Sequence, residues 1–145
     1  MDEGCVIALD VGTKTIGLAT SDPSRRFCFP HGTVARRGVR QDVEVIARVC
    51  RERRVTEVVV GLPLDLEGNE SRSTRLARQV GEALATATGL PVHWQDERFS
   101  TLEAEDRLRA AGAGAAARKS AIDAHAAAVI LEDWLRARPA TGALA

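Results

Sequence analysis

The sequence predicts an α/β domain in which a mixed β-sheet is flanked by helices. Short apolar runs open the chain on either side of a tight turn, which is typical of antiparallel strands. Further along, strand-like and helical patterns alternate, which favours parallel strands between helices. With 145 residues, 45% of them hydrophobic, the chain can bury one core. We therefore expect a single domain over residues 1–138 and a disordered tail over residues 139–145.

The opening segment predicts three strands. Residues 5–9 form a short apolar run, the sequence DVGTKT supplies a turn, and residues 16–20 resume the strand pattern. A third strand is expected near residues 26–34. Because it contains Pro30 and Gly32, it is confined to an edge of the sheet or broken.

The middle of the chain predicts two helices and two strands. Apolar residues recur at helical spacing over residues 39–53 and again over residues 70–88, where Gly89 is the expected stop. Residues 56–61 contain three consecutive valines, which is typical of a parallel strand covered on both faces. A short strand over residues 91–95 follows.

The last third predicts two more helices joined by a loop. Ser100 and Glu103 have the spacing of a capping box, which indicates a helix from residue 100 to about residue 111. The small-residue segment 111–120 is expected to be a loop that closes over substrate. Residues 120–135 are expected to form the last helix.

Charge and composition limit how this protein could contact nucleic acid. The 20 basic and 20 acidic residues cancel, so nucleic-acid binding requires a local basic patch rather than the field of the whole protein. Aromatic residues make up only 3% and tyrosine is absent, so we do not expect base stacking to dominate recognition.

The cysteines and the apolar runs indicate a reducing, aqueous compartment. Cys5, Cys28 and Cys50 are odd in number and far apart, so we expect reduced, buried thiols rather than disulfides or a zinc site. The first residues lack a signal-peptide pattern, and no apolar run approaches the ~20 residues that span a bilayer. The sequence therefore predicts a cytoplasmic protein with no membrane partner.

Three acidic residues carry the main functional prediction. Asp10, Glu97 and Asp123 each lie where a segment ends or begins. If the fold brings them together, they form a pocket of carboxylates, which are the ligands that hard divalent ions prefer. Such a pocket indicates hydrolysis of phosphodiester bonds.

Each acid also has a purely structural interpretation, which the sequence leaves open. Asp10 precedes a valine and a glycine and could form an Asx turn. Glu97 could be a solvated strand end paired with Arg98, an interaction worth little energetically. Asp123 stands three residues after Ser120, which is the spacing of a helix cap.

Three basic residues are candidates for binding substrate. Lys14, Arg98 and Lys119 each lie close in sequence to one of the three acids. They could bind phosphate oxygens, and Arg98 could do so through two parallel hydrogen bonds. Most of the other arginines, at residues 36–54 and 72–78, are interpreted as solvated helix faces.

Four segments taken together resemble the YqgF family of RNase H-like nucleases, also called RuvX. The resemblance covers nearly the whole chain, and the joint order of the segments is more specific than any one of them. The segments are ALDVGTKTIGLATSD, VVVGLPLDLEGNES, DERFST and KSAIDAHAAAVILEDWL.

The resemblance implies an RNase H-like sheet of five strands in the order 3-2-1-4-5, with the first three antiparallel. It implies catalytic and metal-binding roles for Asp10, Glu97 and Asp123, with two Mg²⁺ or Mn²⁺ ions as cofactors. Members are described as nucleases that trim the 5′ end of pre-16S ribosomal RNA, and also as Holliday junction resolvases. RNA is the substrate ranked first, and branched DNA, which a two-fold homodimer would suit, is the alternative.

The sequence departs from the usual family pattern at two positions. Thr15 stands where a basic residue is common, which weakens the expected phosphate contacts. Asp65 stands where asparagine is common, and its extra carboxylate at the mouth of the pocket could alter the number of metal ions.

Two other functions compete with nuclease activity. The turn DVGTKT also resembles the first phosphate loop of sugar kinases and actin-like ATPases, although those proteins close two such domains around a nucleotide. A non-catalytic nucleic-acid-binding module is the second competitor. Three retained acids argue against that module, because carboxylates repel a phosphate backbone.

Overall fold

The computed structural model of this protein describes residues 4–65, 67–96 and 115–137, with side chains from Ala124 onward in the last segment. Five strands and three helices occur in these residues. In chain order they are β1 (Cys5–Val11), β2 (Thr15–Ser21), β3 (Cys28–Ala35), α1 (Val39–Glu52), β4 (Val55–Leu62), α2 (Arg72–Thr88), β5 (Val92–Asp96) and α3 (Ala115–Ala137).

The five strands form one mixed sheet in the order β3-β2-β1-β4-β5. β1 pairs antiparallel with β2, and β2 antiparallel with β3. β4 is parallel to both β1 and β5. The predicted mixed sheet and its strand order are therefore confirmed. Pro30 lies in β3, which is an edge strand as the missing N–H of proline requires.

Helices cover both faces of the sheet, and the strands direct alternate side chains to each face. On one face, strand residues such as Leu9 and Val60 pack with the buried sides of α1 and α2. On the other face, Val6, Ala8 and Val59 pack against α3. The continuous apolar character of β4 thus reflects a strand that is buried on both sides.

Local signals in the sequence fix both ends of α2. The hydroxyl of Ser71 accepts the N–H of Thr74, and the hydroxyl of Thr74 accepts the N–H of Ser71, which completes a capping box. The Thr74 hydroxyl also donates to the carbonyl of Pro63 at 3.1 Å. At the other end Gly89 adopts the left-handed conformation with φ 74°, so the predicted stop is confirmed.

The last helix begins earlier than the sequence indicated. α3 starts at Ala115, so the expectation of a loop through residue 120 is wrong for residues 115–120. From Ala115 to Ala137 the chain contains neither glycine nor proline and is rich in alanine, the residue that most favours helix. The predicted helix over residues 100–111 and the predicted tail lie outside the described residues.

The cysteines are free thiols. Cys50 is buried as expected, but Cys5 and Cys28 are only half-buried, because they lie at the ends of strands rather than in the centre of the core. Burial raises the pKa of the Cys28 thiol to about 12 and that of the Cys50 thiol to about 11. Both thiols are therefore protonated and weakly reactive near neutral pH.

None of the helices in the described residues is both long enough and apolar enough to cross a membrane.

Candidate active site

Three parallel strands end at one edge of the sheet, and Asp10 lies at this edge. β1, β4 and β5 run in the same direction, so their carboxyl ends lie together. Asp10 is the penultimate residue of β1 and is half-buried. Ligands of α/β folds commonly bind at this end of the strands. Asp10 therefore occupies the position that its sequence context predicted.

The alternation of β1 places Asp10 on the face of the sheet that α3 covers. Val6 and Ala8, which precede it by four and two residues, both pack in the cluster that α3 forms with the sheet. Because a strand repeats every two residues, the Asp10 side chain leaves the sheet on that same face. Only the last part of α3, from Ala124 onward, has described side chains there.

Glycines stand on both sides of Asp10 in the sheet. On β2 its partner is Gly17. On β4 the last residue paired with β1 is Val60, opposite Leu9, and one more step of the same register brings Gly61 level with Asp10. A residue with any side chain at Gly17 or Gly61 would fill the space beside the carboxylate. Neither β2 nor β4 therefore places a side chain beside the carboxylate, although other parts of the protein bury both glycines.

β5 supplies the third strand end at this edge. Gln95 pairs with Gly61, and Asp96, the last residue of β5, pairs with Leu62. Glu97 and Arg98 follow directly in sequence and lie outside the described residues. Two strand spacings of about 4.8 Å separate β1 from β5, so Asp10 and Gln95 lie roughly 10 Å apart across Gly61.

The turn between β1 and β2 is tight and positions Lys14. The Gly12 N–H donates to the Thr15 carbonyl at 2.8 Å. A Cβ on Gly12 would come within 2.9 Å of the same carbonyl oxygen, so a side chain there requires the turn to shift. Lys14 is exposed at the tip of this turn, on the same edge of the sheet as Asp10.

Arg36 connects the turn to α1. Its Nη1 donates to the Gly12 carbonyl at 2.8 Å, and its backbone N–H donates to the Lys14 carbonyl at 2.9 Å. Its Nε lies 2.7 Å from Oδ2 of Asp42, which is only 1% exposed. Most of the arginines at residues 36–54 are interpreted from the sequence as solvated helix faces, and Arg36 is an exception, because it precedes α1 and is held by a buried carboxylate.

Sequence reasoning missed Asp42, Gly17 and Gly61 as parts of this edge. Asp42 carried only the weak signal of an acid in the first turn of a helix. The proximity of the two glycines to Asp10 is apparent only from the pairing of the strands, because Gly17 is seven positions from Asp10 in the sequence and Gly61 is fifty-one.

Asp65 has a local structural role. Its Oδ1 accepts the N–H groups of Glu67 at 2.9 Å and Asn69 at 2.8 Å. The backbone hydrogen bond from Asn69 is the main reason that the pKa of the Asp65 carboxyl is lowered. The Asp65 carboxylate thus stabilises the loop after β4.

For the candidate residues in α3, the structure describes the backbone but not the side chains. Asp123 and Lys119 belong to the backbone of α3, and their side chains are not among those described. Ser120 is the sixth residue of this helix, so it is not an N-cap, and the capping interpretation of Asp123 is wrong. Among the described residues no group of three His, Cys, Asp or Glu side chains could hold a metal.

The topology and the acid at the end of β1 define the RNase H-like class of α/β domains. Solved structures of Thermus thermophilus RuvC share the fold. The structure of RuvC in complex with a Holliday junction substrate matches with a TM-score of 0.55 and 19% identity, covering 92% of this chain and 96% of that one. A second RuvC structure gives 0.54 and 18% identity, covering 91% and 95%.

The chain belongs to the RuvX family. The model of this family, described as Holliday junction resolvase, matches residues 4–137. Curated relatives carry the name "Putative pre-16S rRNA nuclease". One from Anaeromyxobacter dehalogenans (strain 2CP-C) is 47% identical over 132 residues, covering 91% of this chain and 96% of the relative. One from Maridesulfovibrio salexigens is 38% identical over 130 residues, covering 90% and 96%.

Proposed function

We propose that this protein is a cytoplasmic, divalent-metal-dependent nuclease that matures the 5′ end of pre-16S ribosomal RNA. The observation that carries the proposal is the position of Asp10, which lies between Gly17 and Gly61 at the edge where β1, β4 and β5 end. The name of the curated relatives supports the RNA substrate.

The donor set suits Mg²⁺ or Mn²⁺. Asp10, Glu97 and Asp123 would hold two such ions, because carboxylate oxygens are the ligands that these hard cations prefer. When bound, such ions activate water and stabilise the departing oxygen of a phosphodiester. The half-buried position of Asp10 supports the fit, because a carboxylate that is partly removed from water is stabilised by a cation.

The helical period of α3 supports the inclusion of Asp123. Its position is four residues before Ala127 and seven before Ile130, and both of these are fully buried against the sheet. Positions with this spacing share one side of a helix. Residue 123 also lies eight residues after Ala115, more than two turns into the helix. A role in capping is therefore removed as the competing explanation.

Basic residues of this chain would position the substrate. Lys14 stands exposed on a turn that Arg36 braces through two hydrogen bonds. We propose that Lys14 binds a phosphate next to the scissile one, and that Arg98 and Lys119 bind others. The acids alone would repel RNA, so these cations and the metal ions together reverse the local charge.

A cleavage assay with matched variants tests the proposal. A pre-16S RNA leader is incubated with manganese, magnesium or a chelator, using the wild type, Asp10→Asn and Asp65→Asn. We expect metal-dependent cutting that Asp10→Asn abolishes. Asp65→Asn keeps an oxygen that can accept the amides of Glu67 and Asn69, so it should cut normally. Equal cutting by wild type and Asp10→Asn would refute the assigned centre.

Resolution of Holliday junctions is the second candidate function. It is favoured by the description of the family and by the RuvC structures, one of which contains that substrate. A four-way DNA junction in the same assay separates the two functions. Paired cuts in the junction by a two-fold dimer, with an uncut RNA leader, would replace RNA maturation as the assigned function.

A further inference from the structure

Two exposed phenylalanines, two positions apart in sequence, flank the first residue of the edge strand β3. Among the described residues the large hydrophobic side chains exposed to solvent are Phe27 at 62%, Phe29 at 53% and Val45 at 40%. The chain has only three phenylalanines, so most of its phenylalanine content is outside the core. A phenylalanine usually contributes to stability by being buried, and these two do not.

The loop that presents Phe27 is built around one carboxylate. Oδ1 of Asp22 accepts the N–H of Arg26 at 2.9 Å and that of Phe27 at 2.8 Å. The N–H of Asp22 in turn donates to the carbonyl of Phe27 at 3.1 Å. These bonds hold the backbone of Arg26 and Phe27 in one conformation, so both side chains project from an ordered backbone.

Arg25 anchors the same loop to the rest of the sheet. Its side chain is 6% exposed, and its Nη2 lies 2.6 Å from Oε2 of Glu57 in β4. Its Nε donates to the carbonyl of Gly4 at 3.0 Å. Arg25 adopts a left-handed backbone with φ 61°, which is uncommon for a non-glycine residue. The hydrogen bonds and the ion pair of Asp22 and Arg25 therefore stabilise the loop, and the exposed phenylalanine side chains are not needed for this.

Charges of both signs lie near the phenylalanines. After burial, the carboxylates of Glu132 and Asp22 are the causes that raise the pKa of Cys28, which stands between the two phenylalanines. Arg26 is exposed directly before Phe27. Arg53 at the end of α1 is close enough to His31, two residues after Phe29, to lower the pKa of that histidine, and Glu52 opposes this effect. Exposed aromatic rings next to guanidinium groups match the bases and phosphates of an unpaired nucleic-acid strand.

The edge strand itself disfavours a second copy of this chain as the occupant. Pro30 is the third of the eight residues of β3 and has no N–H to donate to an added strand. The register between β2 and β3 also shifts between Leu18 and Ala19, next to this proline. Such irregularities are typical of edges that avoid strand addition.

We propose that Arg26, Phe27, Phe29 and Arg53 form an accessory surface that binds an unpaired segment of the RNA substrate. Bases stack on the two rings and the guanidinium groups contact phosphates, without selecting a sequence. The identity of the strand as substrate rests on the proposed function. The surface was not predicted from the sequence, where low aromatic content argued against stacking.

The register of the sheet gives the minimum separation between this surface and Asp10. Phe29 pairs with Thr20, and Thr20 pairs with Ile7, three residues before Asp10. The separation is about 10 Å along the strands and about 10 Å across them. Ile7 packs with α1 and α2, so Phe29 leaves the sheet on the face opposite to Asp10. At about 3.4 Å per stacked nucleotide, a strand that passes round the edge of the sheet must extend more than about four nucleotides from the cleavage point to reach Phe29.

Binding measured without cleavage tests this surface. Fluorescence anisotropy in chelator compares oligoadenylate RNA with a ribose–phosphate strand of equal length that lacks bases. The variant Phe27→Leu/Phe29→Leu keeps apolar surface but removes the rings. We expect it to bind oligoadenylate between about fivefold and about 100-fold more weakly, and the strand without bases as wild type does. Val45→Ala, at the third exposed hydrophobic residue, should bind both normally.

The outcomes separate this surface from the proposed function. Unchanged oligoadenylate binding by the double leucine variant overturns the proposal, as does loss of self-association in that variant with normal RNA binding. If the wild type binds through the phenylalanines but cuts no RNA, the proposed function fails and the surface stands. Arg26→Gln adds a test of charge, because losing one phosphate contact lowers the slope of log affinity against log salt by about 0.7.

Discussion

Arg36 and Asp42 form an ion pair with 2.7 Å between Nε and Oδ2, and the Asp42 carboxylate is buried in the first turn of α1. Asp42 also accepts the N–H of Arg37 through its other oxygen at 2.9 Å, and Arg36 holds the Gly12 carbonyl. The start of α1 is thereby tied to the turn that follows Asp10. The pair supports the edge of the sheet at which the candidate active site lies.

We predict that Asp42→Ala lowers the free energy of unfolding by about 3 kcal/mol, because it leaves the guanidinium of Arg36 largely desolvated without its partner. Urea unfolding measures the effect. The matched control is Glu70→Ala, which removes an ion pair of equal length between Glu70 and Arg78, whose side chains are 46% and 37% exposed. It should cost no more than about 1 kcal/mol. Similar losses in both variants would show that the burial of Asp42 is unimportant.

A glycine inside α2 gives a prediction in which packing outweighs helix propensity. A Cβ on Gly81 would meet the Trp94 ring at 2.6 Å and a Val60 methyl at 3.3 Å. Replacing an interior helical glycine with alanine normally gains about 1 kcal/mol, whereas overpacking a core costs about 1–3 kcal/mol. We expect Gly81→Ala to lower the free energy of unfolding by about 1 kcal/mol in thermal or urea unfolding.

The cause of that loss is tested by a second substitution. In a Trp94→Leu background the ring is absent, and Gly81→Ala should then be neutral or stabilising. If Gly81→Ala remains equally destabilising without the ring, contact with Trp94 is not the reason for the glycine.

Much of the fold could be predicted from local patterns. The helices over Val39–Glu52 and Arg72–Thr88 and all five strands agree with the sequence to within a few residues, because each has an apolar repeat and clear stop signals such as Gly89. The start of α3 was missed because Ser120 and Asp123 imitate a cap, whereas a run of alanines carries the helix past them.

The candidate site could be predicted only in part. The position of Asp10 near the end of β1 could be predicted, because the acid follows a short apolar run in the sequence, whereas its role in catalysis stays a prediction. The pair of Arg36 and Asp42 depends on how β3 turns into α1, and the glycines beside Asp10 depend on strand register. Neither is visible before the strands are paired in space, since propensity and periodicity report only on neighbours along the chain.

From the environment of His31 we predict that the folded protein loses stability in mild acid. Burial is the main cause that lowers its pKa from the ordinary 6.5, the positive charge of Arg53 adds to this, and Glu52 opposes it. Because the unfolded chain then binds a proton more readily than the folded one, the contribution of His31 to stability is intact above about pH 6.5 and declines as pH falls below it. Urea unfolding from about pH 8 to about pH 5 measures this decline, which His31→Gln should reduce.

A nuclear magnetic resonance titration of His31 provides the direct check. Arg53→Gln removes a nearby positive charge, so the pKa of His31 should rise toward its ordinary value in that variant. A pKa of His31 that does not respond to Arg53→Gln would exclude the charge of Arg53 as a cause of its shift.

Metal binding should reveal the carboxylate centre through stability as well as activity. If Asp10, Glu97 and Asp123 share one pocket, their like charges repel one another without metal and attract divalent ions. Asp10→Asn should therefore be more stable than the wild type in chelator. Manganese at 100 times its dissociation constant should stabilise the wild type by about 2.7 kcal/mol, roughly 5–10 °C in melting temperature, and the variant much less. Thermal unfolding with and without manganese measures both effects.

Asp65→Asn is the control and should respond to metal as the wild type does, because Asp65 is engaged by backbone amides of its own loop. Equal stabilisation of the wild type and Asp10→Asn by manganese would place the metal elsewhere. A variant that is more stable than the wild type in chelator but gains less stability from manganese is expected only where the replaced carboxylate belongs to the centre.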